Sequence, residues 1–115
     1  MTPIEIMEEL DNCKRAMTEA NTRLKTLGVN LAKTESAYRI AVAKKEIILR
    51  KIDKYPANLA YDIARGDEAV ARLRLNRDIA KIDYEVCKEG LRNIRSEVEV
   101  LRSLLTWERV ELKNT

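Results

Sequence analysis

Histidine and phenylalanine are absent from this 115-residue chain, and glycine (three), proline (two), cysteine (two) and tryptophan (one) are scarce. Each shortage excludes something. Without histidine there is no imidazole general base, no Ser-His triad and no His-containing metal site. Cys13 and Cys87 are too few for a structural zinc site, and a di-iron bundle would need a Glu-x-x-His pair. The glycines stand alone at 28, 66 and 90, so no Gly-rich loop is present to cradle phosphate. This inventory points away from an enzyme and implies no cofactor and no metal. The two cysteines do not form a CxxC pair and cannot make a disulfide framework; they read as small buried apolar residues.

Long apolar runs are missing too. No uncharged run exceeds seven residues, so neither a membrane span nor the apolar segment of a signal peptide can be placed. With the acidic opening MTPIEIMEEL, the expected setting is the cytoplasm. Aromatics make up 4% of the chain against 36% charged residues, the composition of long helices with narrow apolar seams. The net charge of +3, from 22 basic and 19 acidic residues, is too small to mark a nucleic-acid binder, so local clustering has to decide.

What is present is helical rhythm. TPIE at 2–5 is a helix start, with Thr2 as cap, Pro3 at the first helical position and Glu5 completing a capping box. Leu10, Cys13, Met17, Ala20, Leu24, Leu27, Leu31, Thr34, Tyr38, Ala41, Lys45, Ile48 and Ile52 then recur in alternating steps of three and four, a heptad seam over a helix from about 3 to 53. The rhythm breaks only in KYPANLAYDIARGDE. After Pro56 a short helix is expected at about 57–65, Gly66 is read as permitting a left-handed turn, and Asp67 caps a second long helix at about 67–113. Arg65-Gly66-Asp67 is therefore a helix junction, not an adhesion motif. The second seam runs Val70, Leu73, Arg77, Ala80, Tyr84, Cys87, Leu91, Ile94, Val98, Leu101, Leu105.

Two long helices with a short connector fold back as an antiparallel hairpin, so the expected fold is all-α, one coiled-coil-like helical-hairpin domain over 1–115. Folding about residue 60 sets residue i opposite about 121 − i. Cys13 then falls near Trp107 and Cys87 near Lys33, with the thiols about 30 Å apart along the helices. Outside the seams the second helix carries Leu75, Ile79, Ile82 and Val86, and further on Val100, Leu104 and Trp107. A two-helix hairpin buries one stripe per helix, so this surplus implies a homo-oligomeric bundle, unless the short helix covers Leu75 and Ile79.

The seam cations Lys45 and Arg77 fall at one level of that hairpin and need acids, solvent or an anionic ligand. Asp62, Asp67 and Asp78 are the acids in reach. With Tyr38, Arg39, Lys44, Tyr61, Arg65 and Arg74 around them, they make the candidate ligand or partner site. Between residues 38 and 54, six Lys or Arg stand against Glu46 and Asp53.

Through AYRIAVAKK, YPANLAYDIARGDEAVARLRLNRDIA and LRSLLTW, the chain resembles a family of small helical proteins encoded by phages and prophages of Gram-positive bacteria. The resemblance covers about residues 36–108 and is carried by Arg65-Gly66-Asp67, Arg77-Asp78 and Leu101-Arg102-Ser103 with Trp107. It implies a phage setting, inside a host cell, and no particular activity. The expectation is a non-enzymatic counter-defence or regulatory binder that sequesters a host protein or a small nucleotide signal. The alternatives are an accessory of phage DNA recombination holding single-stranded nucleic acid, which the modest charge disfavours, and a structural coiled-coil component.

Overall fold

The computed structural model describes residues 1–114; Thr115, inside the span read from the sequence, lies outside the described residues. The fold is an all-helical hairpin with a short helix between the arms: α1 (Pro3–Lys51), α2 (Ala57–Gly66) and α3 (Glu68–Asn114). Thr2 Oγ1 accepts from the Glu5 N–H at 3.2 Å, and Asp67 Oδ2 accepts from the Val70 N–H at 3.2 Å. These bonds satisfy amides that the first turns of α1 and α3 would otherwise leave open. The helix end at Gly66 differs from expectation. No described glycine has a positive φ; the left-handed residue is Lys54 (φ 60), past the end of α1. There the Tyr55 N–H reaches back six positions to the Leu49 carbonyl at 3.1 Å, giving a partner to one of the carbonyls that the end of α1 leaves open.

The chain divides into two compact units, Met1–Lys25 with the stretch from Glu85 onward, and Thr26–Tyr84. In the first, Ile6, Cys13 and Leu101 form a buried cluster flanked by Leu10, Ile94, Val98 and Leu105. Here the Cys87 thiol donates to the Ala20 carbonyl at 3.6 Å. Both cysteines are free. The expected positions are corrected: Cys87 lies beside Ala20 rather than Lys33, and Trp107, 67% exposed, is not against Cys13. The thiols are thus separated by about seven residues of α1, or about 10 Å of helix axis, rather than 30 Å.

In the second unit Tyr38, Val42 and Val70 form one cluster with Ala41 and Leu73 against it, and Leu49, Ala60 and Ala64 form another. Gly28 faces Tyr84, Glu35 faces Arg77 and Lys45 faces Asp67, so within this unit residue i of α1 stands opposite 112 − i, not 121 − i. The cause is α2. Its alanines at positions 60 and 64 share one helical face, and with no side chain beyond Cβ they pack closely on Leu49 in the last turns of α1. Those turns are therefore covered by α2, and α3 begins alongside Lys45. The first seam ends there as well: Ile48 and Ile52 are exposed while Leu49 is buried.

Candidate functional site

The seam arginine of α3 is the centre of the candidate site. Arg77 lies in the second unit with its guanidinium carbon 4.5 Å from the centroid of the buried Tyr38 ring. Its Nε and Nη2 donate to Asp78 Oδ1 at 3.1 and 2.9 Å, and Nε stands 3.5 Å from Glu35 Oε2. The other oxygen of Glu35 accepts from Arg39 Nε at 2.7 Å. The hydrogen bond to Asp78 is the main influence holding Arg77 above the ordinary arginine range, opposed by burial and assisted by the Asp78 and Glu35 charges. A cation stacked on a ring and held by two carboxylates is a locked structural element.

Above it lies a groove of about 380 Å³, lined by Glu35, Tyr38, Arg39, Val42, Ala43, Glu46, Tyr61 and Arg77. Four of the residues picked from the sequence, Tyr38, Arg39, Tyr61 and Arg77, come together in it; Lys44, Lys45, Arg65 and Arg74 do not line it. The charges of its wall cancel, since Arg39 and Arg77 are matched by Glu35 and Glu46. Lys45 is not at the level of Arg77; its Nζ stands 3.6 Å from Asp67 Oδ1. Arg65 lies over the half-exposed Tyr61 ring at 5.7 Å. Lys44 is exposed and Arg74 half-buried, and neither makes an ion pair among the described residues. Tyr38 lines the groove but is only 6% exposed, with the Arg77 guanidinium over its ring. Sequence reading missed Glu35, the acid that joins Arg77 to Arg39. Its position four residues before Arg39 was the available signal.

The apolar surplus is uncovered. Leu75, Ile79 and Ile82 are 57%, 49% and 61% exposed, and Val86 is exposed too. α2, whose buried residues face Leu49, leaves Leu75 and Ile79 open. In the other unit Val100, Leu104 and Trp107 are exposed, as are Ile4 and Met7 of α1. Among the described residues no group of His, Cys, Asp and Glu is placed to hold a metal, and no helix is long and apolar enough to cross a membrane. Comparison with family models, with curated proteins and with solved structures finds no match to this chain.

Proposed function

We propose that this chain is a non-enzymatic helical binding protein. It self-associates through the α3 face bearing Leu75, Ile79 and Ile82, and works in a phage setting as a counter-defence or regulatory factor that sequesters a host protein in the host cytoplasm. The observation that carries the reading is the exposed stripe itself. Three large aliphatic side chains at steps of four and three on a long helix form a seam with no partner. The Arg77 network gives the nucleic-acid reading no support, because its cation is already matched by Glu35 and Asp78.

Light scattering at micromolar concentration tests the assembly. The native chain is expected at a multiple of its 13.3 kDa mass, and a Leu75→Glu/Ile79→Glu/Ile82→Glu variant at the monomer mass with unchanged helicity. A monomeric native chain would sink the reading.

A further inference from the structure

At the connector end of the Thr26–Tyr84 unit, Ile47, Arg50, Lys51, Tyr55, Pro56 and Ala57 bound a second groove, of about 410 Å³. Its electrostatics differ from those of the Arg77 groove. Arg50 and Lys51 line it and Lys54 follows three residues on, and none of the three makes an ion pair among the described residues. Asp53 is the only acid between Glu46 and Asp62. The remaining walls are apolar: Tyr55 is 41% exposed and Ile47 is exposed as well.

A second, independent observation concerns Lys54. It is the one non-glycine residue with a positive φ among those described. At the residue following a helix end in the left-handed region, glycine is the low-cost choice and a side chain with a Cβ is strained. Lys54 is not itself a lining residue of the groove, but it brings a third cation within four residues of Arg50 at a conformational cost that glycine would avoid, and residues kept in such strain cluster at ligand sites.

We infer that this groove binds a nucleoside polyphosphate, its phosphates held by Arg50, Lys51 and Lys54 and its base resting against Tyr55. The volume falls in the small-molecule range. Three unpaired cations within five residues suit several phosphate oxygens rather than a single carboxylate. The exposed tyrosine face supplies the apolar surface that a base would cover. The site is separate from the self-association proposed above, so the failure of either leaves the other standing.

The test is a fluorescence titration of the full chain with N-methylanthraniloyl-ATP at about 50 mM salt, where surface charges are weakly screened. Saturable binding is expected, displaced by unlabelled ATP and less well by sodium tripolyphosphate. Arg50→Ala/Lys51→Ala should weaken it about tenfold or more, the loss of two charge-assisted contacts, while Lys81→Ala, an exposed cation elsewhere on α3, leaves it unchanged. Lys54→Gly is the sharpest variant because it relieves strain: it should raise the melting temperature by a few degrees and still weaken binding. The inference is overturned by absence of saturable binding to the native chain or by unchanged affinity in the double variant. Unchanged affinity in Lys54→Gly, or tripolyphosphate competing as well as ATP, would overturn it equally.

Discussion

The Arg77 guanidinium lies 4.5 Å from the centre of the buried Tyr38 ring, so the only charged member of the second seam is seated on an aromatic face of the first. This contact resolves how a heptad seam tolerates an arginine. The stem packs along the seam, the ring accepts the cation, and Asp78 and Glu35 complete its coordination at the groove edge.

Arg77→Met keeps the stem volume and removes the charge. Cation–π contact and partly exposed pairing together are worth about 1 kcal/mol, so the melting temperature should fall by about 4 °C at this size. Glu35 retains Arg39, which keeps the loss from growing. A double-mutant cycle with Tyr38→Leu should show coupling between the two positions. Strict additivity in thermal melts would mean that the ring and the guanidinium do not interact.

Much of this arrangement was legible in the sequence. Every member of the second seam from Val70 to Leu105 is buried or half-buried, as its spacing implies, and Asp67 caps α3. The register was not legible, because a seam fixes which residues face inward but not which level of one helix meets which level of the other. That depended on α2. Read as a mere connector it puts the fold point at residue 60; with Ala60 and Ala64 packed on Leu49, α3 starts alongside Lys45. The same shift separates Lys45 from Arg77, giving each its own acid. The left-handed residue was misplaced for a related reason: glycine is the expected occupant of such a position, and the chain puts Lys54 there instead.

The two thiols should differ in reactivity. Cys13 is buried, and burial first, then the Glu97 and Glu9 charges, push its thiol up from the ordinary value. Cys87 is only half-buried. Iodoacetamide at about pH 8 should therefore alkylate Cys87 well before Cys13, since the thiolate is the reacting form. Above the unfolded thiol's pKa of about 8.5, the unfolded chain releases a proton that folded Cys13 still holds, so this residue's contribution to stability falls as pH rises past that point. Urea melts at about pH 7 and 9.5 should show a smaller drop for Cys13→Ala than for the native chain. Equal drops would mean that Cys13 does not contribute to the pH dependence. Non-reducing gels should show no intrachain disulfide, since about 10 Å along the helix exceeds the span of a disulfide bridge.

Gly28 and Gly90 both sit inside long helices, where glycine costs about 1 kcal/mol relative to alanine. Their surroundings differ. A Cβ on Gly90 would meet nothing within 4 Å, whereas one on Gly28 would lie 3.3 Å from Tyr84 Cε2. Gly90→Ala should thus gain close to the full helix-propensity term, about 1 kcal/mol, seen as a higher urea midpoint at unchanged slope. In Gly28→Ala the same gain is opposed by displacement of the half-buried Tyr84 ring, and in a packed seam such crowding costs about as much as the propensity term returns. The net change should be near zero or unfavourable. Combining Gly28→Ala with Tyr84→Leu removes the ring, so in the Tyr84→Leu background the alanine should recover the gain that Gly90→Ala shows. If Gly28→Ala alone stabilises the chain as much as Gly90→Ala, the Tyr84 ring is free to move aside, and close approach is not what keeps glycine at position 28.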